Sequence, residues 1–496
     1  MQFPAAAIFL LVFCLSIFPL QEKRQSQDTQ SIENKFNELR QHPSLKDASL
    51  GFIVLDPISG QVLFEHQPDQ MLIPASVLKL VTTSSAVYLL DTSFRFNTWL
   101  KISGTIDKNG TLNGDIIIEG GGDPSLASPF IENIPGLDSL FGLWLGAIKN
   151  QGIKSVNGQI IADPRIFDNQ IVPPHWGDDD TGNYYGAGAS GLSFHENFYT
   201  LFFKASLKKG SPASIIHTYP PLESVTFDNQ VTTGPKNSGD NVIIYGKPYE
   251  NNRLLTGTIP AGTDSFAVKG SIPDPAALMA GLFHTFLNNQ GISISKMPLV
   301  IRDADQKNPI PTDFKVIFQI QSPPLQCILD RTNKNSVNTY AENLLKMMGY
   351  KYLNSGSFTS GIQIIRAFWQ QRGIDVSGLE MYDGSGLSRL NRVSPRFLSQ
   401  LLLWVYKDPI IFPYFQSTLS VSGEAGTLEK RFSDKAKGLV HAKSGYMKGV
   451  RAFAGYVKTQ NGQDLIFVLM ANNSNGIPAQ ARELMISLIE SITLIE

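Results

Sequence analysis

The sequence predicts an α/β fold of the α+β kind: an antiparallel sheet flanked by helices, interrupted in mid-chain by β-rich inserted domains. Three observations point there. Strand-like hairpins stand near both ends of the chain, long apolar helical runs lie just inside them, and the stretch between changes to short alternating segments broken by Gly, Pro, Asn and Asp. With 496 residues, 42% of them hydrophobic and 17% charged, the chain has apolar surface for several cores and is not a disordered protein.

Phe3 to Leu20 form one apolar run, and Gln21 to Gln27 are polar. Residues 1–20 therefore read as a secretory leader or an uncleaved anchor, and the protein is expected to be exported to the periplasm, touching a membrane only through this segment. No Lys or Arg precedes the run, and Phe13 stands before Cys14 where a lipid-attachment signal wants a small residue. A polar helical stretch follows at Ser31 to Arg40. Leu50–Leu55 and Gln61–Glu65 then make a hairpin across Asp56-Pro57-Ile58-Ser59-Gly60. Pro74 opens an apolar helical run to Asp91, with Ser76 in its first turn.

From about Phe94 to Ile272 the pattern is β-like, as at Asp115–Ile118 and Asn241–Tyr245. Helical periodicity returns at Pro275–Asn289, Ser336–Met348, Phe358–Arg372 and Ser394–Tyr406. Strands at Leu439–Lys443, Arg451–Thr459 and Asp464–Met470 follow, the last two joined by Asn461-Gly462, and a helix from Pro478 to about Ile492 closes the chain.

Composition excludes several functions. Lys+Arg is 42 against Asp+Glu 43, a net charge of -1, so no basic excess recruits a nucleic acid. Two cysteines, Cys14 and Cys327, exclude a disulfide framework or a cysteine zinc site, and Cys327 reads as a small buried apolar residue. Seven histidines are scattered, and His195-Glu196 lacks the second histidine of a zincin, so neither metal nor cofactor is expected. Gly186 to Gly191 matches G-x-G-x-x-G without a preceding apolar strand, and Asp178 to Asp180 read as a solvated loop.

Ser76 and Lys79, three apart at a helix start, share a face, so an amine reaches a hydroxyl and can activate it. The spacing recurs at Ser206–Lys209 and Ser293–Lys296, but in β-like segments where residues three apart point to opposite faces. Ser336-Val337-Asn338 heads another helix, whereas the same triplet at Ser155-Val156-Asn157 reads as a turn. Lys443-Ser444-Gly445 lies on a strand, and Lys443 alone begins a Lys-Ser/Thr-Gly tripeptide. In this order the three motifs supply what an acyl-transfer serine needs: a base, a proton for the departing amine, and a fixed cation for an anionic substrate end.

With these motifs the chain resembles the penicillin-recognising serine peptidases, specifically the D-alanyl-D-alanine carboxypeptidase/endopeptidase family of class C low-molecular-mass penicillin-binding proteins. The resemblance spans nearly everything after the leader. It includes Gly120-Gly121-Gly122-Asp123-Pro124-Ser125-Leu126, Ser322-Pro323-Pro324-Leu325, Asp383-Gly384-Ser385-Gly386-Leu387-Ser388, Lys448-Gly449-Val450 and Ala454-Gly455-Tyr456. Ser336 follows Ser76 by 260 residues, similar to that family's habit of inserting two domains there. The resemblance implies a discontinuous transpeptidase-like domain (28–94 and 275–496), an inserted β-rich domain (95–118 and 189–274) and a second inserted domain (119–188).

The resemblance also implies roles. Ser76 is the nucleophile on a terminal D-alanyl-D-alanine bond, neutral Lys79 its base, and Ser336 the donor to the leaving amine. Asn338 bonds the substrate amide, while Lys443 lowers the Lys79 pKa and, with the Ser444 hydroxyl, holds the substrate carboxylate. Gly445 belongs to the same strand, and the backbone N–H groups of Ser76 and Tyr446 form the oxyanion hole. Arg389 is matched to a stem-peptide carboxylate, with an exposed salt bridge the equal alternative. The partners implied are peptidoglycan stem peptides, with β-lactams as covalent inhibitors. Two departures stand out: Tyr446 replaces the family's usual Thr or Ser, and Ser444 replaces Thr. Two other classes compete: a β-lactamase-like hydrolase, distinguished by fast deacylation of penicillin, and a non-catalytic peptidoglycan-binding protein, which loss of Ser76 or Lys79 would have marked.

Overall fold

A computed structural model describes residues 30–302, 313–473 and 479–495. The leader expected at 1–20, with Cys14, lies outside them. Among the described residues no helix is long and apolar enough to cross a membrane.

The two ends of the chain meet in one six-stranded antiparallel sheet, ordered Val62–His66, Ser49–Leu55, Asp464–Asn472, Val450–Lys458, Val440–Met447, Ser420–Val421. Ser49 faces Asn472 and Leu55 faces Ile466, so the first long strand is locked beside the last. The Asn461-Gly462 turn joins two of these strands as expected, with Lys458 opposite Asp464 and Gly462 in the left-handed region at φ 92°. Leu465 to Ala471 are buried without alternation because both faces of the sheet are covered. On one face Ile53, Ala454, Val468 and Met470 pack against helices that include Lys79–Leu90, Asn338–Leu353 and Pro395–Tyr406. On the other, Phe52, Phe453, Phe467 and Leu469 pack under the helix at 30–41 and the helix Ala479–Ile492.

The middle of the chain builds a second core. Strands Asn97–Ser103, Ile116–Gly120, Ile160–Asp163, Leu299–Val300 and Phe314–Gln321 form one sheet, and Phe198–Lys204, Ser214–Tyr219 and Phe266–Ser271 form another. This arrangement corrects two expected boundaries. Residues 97–120 pair with 160–163 and 314–321, and 160–163 in turn with 299–300, across the line drawn at 118/119, and not with the strands of 198–271. The helix Pro275–Asn289 starts and stops where expected, with Asp274 as its N-cap, but Met279, Phe283 and Leu287 pack with Trp144 and Phe141 in the inserted core, not in the catalytic one. The middle is also less purely β than its texture suggested, since Leu137–Asn150 is a helix. Ser155–Val156, read as part of a turn, is a short strand, and Ser206 to Lys209 form a loop.

One tripeptide clamps the insertion to the catalytic helices. His195, Glu196 and Asn197 are all left-handed, at φ 49°, 53° and 54°, a costly backbone held by its surroundings. Glu196 is buried and accepts a bidentate pair from Arg331 (Nε 2.8 Å, Nη2 2.9 Å), a bond from Ser128 Oγ (2.7 Å) and one from Tyr340 OH (3.1 Å). The Gly186 to Gly191 segment is a closely packed connection: a Cβ on Gly191 would meet Pro164 O at 1.8 Å. It does not lead into a helix N-terminus as a phosphate loop does. Cys327 is half-buried rather than buried, in the first turn of the helix Leu325–Lys334.

Candidate active site

Ser76 sits in a 3₁₀ turn, Ala75–Leu78, that runs straight into the helix Lys79–Leu90. Ala75 is held left-handed at φ 47°, so the nucleophile is presented from a strained corner. One turn on, Lys79 Nζ lies 3.0 Å from Ser76 Oγ, and it donates to Asn338 Oδ1 (2.6 Å) and to Ser385 O (2.8 Å). Lys79 is fully buried, and burial pushes its pKa down to about 7. The carboxylates of Asp383 and Glu342 oppose that shift. Desolvation is the largest cause of the shift.

Ser336 stands at the mouth of the helix Asn338–Leu353, itself left-handed at φ 60°, and its Oγ accepts from Lys443 Nζ at 2.9 Å. Lys443 is fully buried on the strand Val440–Met447 and also donates to Ser444 O (2.8 Å); burial, then the nearby Lys79, holds its pKa well below the usual lysine range. There are thus two hydroxyl–amine pairs, Ser76–Lys79 and Ser336–Lys443, and Asn338 holds the first, accepting from Lys79 Nζ while its Nδ2 donates to Tyr185 O (2.7 Å) of the insertion.

Gly445 is where the strand passes the nucleophile. A Cβ there would lie 2.7 Å from Pro74 O and 3.2 Å from both Ala75 Cβ and Ser76 N. That closeness sets the backbone N–H of Ser76 beside the strand that carries Tyr446. Gly445→Ala is expected to slow benzylpenicillin acylation about tenfold, the rate equivalent of the ~1–3 kcal/mol that overpacking costs. An unchanged second-order acylation rate would show that the strand does not need to come this near.

The site rests on groups that motif reading did not single out. Glu342, one helical turn beyond Asn338 and fully buried, accepts from Gly384 N and Ser385 N (2.8 Å each); burial, then Asp383, pushes its pKa up to about 8. Its i,i+4 spacing from Asn338 was a signal available in the sequence. Asp383 accepts four bonds: from Trp176 Nε1 (2.8 Å), Gly386 N (2.8 Å), Ser388 N (2.6 Å) and Asn391 Nδ2 (2.8 Å). The Asp383–Ser388 segment is therefore the rigid platform whose Ser385 carbonyl holds Lys79. Thr427 accepts from Ser444 Oγ at 2.8 Å. Tyr446 is 68% exposed, with the Arg451 guanidinium 3.5 Å from its ring centre. Arg389 is exposed and donates to Lys448 O (3.1 Å); among the described residues it makes no salt bridge.

This arrangement can do acyl transfer. A hydroxyl stands beside an amine that is half neutral near pH 7, and a second hydroxyl stands beside a second amine. Among the described residues no group of three or more His, Cys, Asp or Glu is placed to hold a metal.

Comparison with known proteins follows the same line. Residues 32–491 match the family model described as the D-Ala-D-Ala carboxypeptidase 3 (S13) family. The chain is 28% identical over 450 residues to the D-alanyl-D-alanine carboxypeptidase of Actinomadura sp. (strain R39), covering 88% of this chain and 79% of that one. It is 25% identical over 430 residues to the D-alanyl-D-alanine carboxypeptidase DacB of Haemophilus influenzae, covering 86% and 85%. The crystal structure of penicillin binding protein 4 (dacB) from Haemophilus influenzae shares the fold at a TM-score of 0.78, with 23% identity over 92% of this chain and 99% of that one. Its complex with a novel β-lactam matches at a TM-score of 0.73, with 22% identity over 92% and 98%.

Proposed function

The chain belongs to the D-Ala-D-Ala carboxypeptidase 3 (S13) family, and from that premise we propose that it hydrolyses the terminal D-alanyl-D-alanine bond of peptidoglycan stem peptides through an acyl-enzyme on Ser76. The observation that carries this reading is the placement of two hydrogen-bonded sets, Ser76–Lys79–Asn338 and Ser336–Lys443, near enough that Lys443 feels the charge of Lys79.

Neutral Lys79 takes the proton of Ser76 Oγ as that oxygen attacks the penultimate D-alanyl carbonyl. The backbone N–H groups of Ser76 and Tyr446 stabilise the oxyanion. As the carbon–nitrogen bond breaks, Ser336 gives its proton to the departing amine, and Lys443 Nζ, 2.9 Å from Ser336 Oγ, replaces it. Asn338 orients the substrate amide, and Lys443 with the Ser444 hydroxyl receives the terminal carboxylate. Water then attacks the ester, and D-alanine and the shortened peptide leave. A β-lactam enters by the same attack, but its amine stays tethered to the acyl group and keeps water away, so the adduct persists. Arg389, which makes no salt bridge among the described residues, takes a carboxylate on the acyl side of the substrate. Such substrates lie outside the cytoplasm, which fits export through the N-terminal apolar run to the periplasm.

Intact-mass spectrometry after incubation with benzylpenicillin tests this. One stable adduct per chain, mapped to the peptide that contains Ser76, together with D-alanine release from a pentapeptide, is the expected result. Rapid loss of penicillin without an accumulating adduct would replace the peptidase by a β-lactamase, and neither adduct nor turnover would leave a binding protein.

A further inference from the structure

Lys79 can serve as a base only if its lone pair faces Ser76, and two oxygens decide that. A neutral lysine amine has two N–H bonds and one lone pair. Lys79 Nζ lies 2.6 Å from Asn338 Oδ1 and 2.8 Å from Ser385 O, and neither oxygen carries a hydrogen, so both N–H bonds are used there. The third neighbour is Ser76 Oγ at 3.0 Å, a hydroxyl able to donate, and the lone pair is left for it. Which end of the Asn338 amide faces Lys79 is fixed, because its Nδ2 is taken by Tyr185 O at 2.7 Å. The Ser385 carbonyl needs a holder of its own.

Glu342 is that holder. It is fully buried, and its Oε1 accepts from Ser385 N and its Oε2 from Gly384 N, each at 2.8 Å. With or without its own proton, each carboxyl oxygen keeps a lone pair for one of these amides. The same stretch is gripped from the nucleophile helix, where Thr82 Oγ1 donates to Gly384 O at 2.6 Å. A Cβ on Gly384 would lie 2.9 Å from Ala341 O and 3.2 Å from Glu342 Oε2, so the segment rests directly on the helix Asn338–Leu353. Asp383 serves a different part of the segment, the amides of Gly386 and Ser388 and the side chain of Asn391. Asn338 and Glu342 stand one turn apart, so a single helix sets both acceptors of Lys79: one directly, the other through the Ser385 carbonyl.

Resting on the acyl-enzyme reading above, we propose that Glu342 is a positioning residue for this reaction: it holds the Gly384 and Ser385 amides, thereby fixes the Ser385 carbonyl, and through that carbonyl aims the Lys79 lone pair at the Ser76 hydroxyl. Glu342 touches neither the substrate nor Ser76. As Ser76 attacks, its O–H bond breaks, the proton joins the Lys79 lone pair, and the oxygen's electron pair forms the bond to the substrate carbonyl carbon. The ammonium so formed keeps the same two acceptors, Asn338 Oδ1 and Ser385 O. The base therefore changes charge without changing place, and the dipoles that receive the charge are already in position.

Acylation by benzylpenicillin, followed by intact mass at a series of concentrations, gives the limiting rate and the half-saturating concentration separately. Glu342→Gln keeps the size of the side chain, but its NH2 group meets a backbone N–H, so one of the two amides loses its acceptor. The limiting rate should fall about tenfold to a hundredfold, the scale of a small misplacement of a reacting group, while the half-saturating concentration stays within about twofold. Glu342→Asp keeps the carboxyl but falls one methylene short, and the same split is expected; it also serves if the glutamine variant does not fold. A limiting rate within twofold of native in either folded variant overturns the proposal. So does a half-saturating concentration that worsens as much as the rate, because a merely loosened cleft loses binding as well. If neither variant folds, the carboxyl is a piece of the core and the positioning role is wrong, while the peptidase reading stands. If the native protein forms no penicillin adduct and trims no pentapeptide, the acyl-enzyme reading itself falls and takes the inference with it.

Discussion

Ser76→Ala is expected to leave the mass of the protein unchanged by benzylpenicillin and to cut D-alanine release from a pentapeptide by at least about 10⁴-fold, the scale on which loss of a covalent nucleophile is felt. No other described residue stands in for it, because Lys79 Nζ contacts this hydroxyl while Lys443 Nζ is committed to Ser336 and the Ser444 carbonyl. Lys79→Ala is expected to lose about 10²–10⁴-fold in acylation by removing the base alone. The pH profile separates these effects. Burial holds Lys79 near pKa 7, so its active, neutral form grows as pH rises through that value. Acylation of the native protein should therefore climb from pH 5, inflect near 7 and level off above about 8. A lysine in water would keep the rate rising until about pH 10. Lys79→Arg, which cannot give up its proton, should stay inactive throughout. Stopped-flow or mass-resolved acylation between pH 5 and 10 decides, and a profile that is flat across pH 7 would remove Lys79 from the role of base.

Asp383→Ala is expected to cost at least about 3 kcal/mol, read as a lowered urea midpoint for the unfolding step that also destroys penicillin binding. The reason is the count of donors left behind. Trp176 Nε1, Gly386 N, Ser388 N and Asn391 Nδ2 all point at this buried carboxylate, and an alanine offers none of them an acceptor. Catalysis should suffer in the fraction that remains folded, because the same segment holds Lys79 through the Ser385 carbonyl. Both the midpoint and the acylation rate of the folded fraction are measurable on one preparation. A midpoint within ~0.5 kcal/mol of native, the usual range for surface changes, would show that the platform is held by other means.

The catalytic frame was legible because its signals are local. The Asn461-Gly462 turn, the N-cap at Ser394 before Pro395 and the continuous apolar run of Leu465 to Ala471 each dictate their element without reference to the rest of the chain. Ser76, Lys79, Ser336, Asn338 and Lys443 were readable as residue types at fixed offsets. What holds them was not, because Ser385 O and Tyr185 O are main-chain carbonyls, which every residue carries and no side-chain pattern announces. The inserted part misled for another reason. Leu137, Leu140, Phe141, Trp144, Leu145 and Ile148 follow helical spacing, but Gly142 and Gly146 weaken the intrinsic preference of that segment and it passed as strand. The pairing of 116–120 with 160–163 is parallel and is joined through that helix, so mistaking the helix also hid the crossover and with it the domain boundary.

The pairing of Ser49–Leu55 with Asp464–Asn472 has a consequence for how the protein is made. On a ribosome Ser76 emerges early, whereas the strand that passes beside it at Gly445 and the strand that closes the sheet emerge some 370 and 400 residues later. Until then the first hairpin has a free edge. The half-made chain is thus an inert holder of Ser76. The contacts of Ser336 with Lys443, and of the nucleophile with the strand at Gly445, exist only once the C-terminal strands are in place.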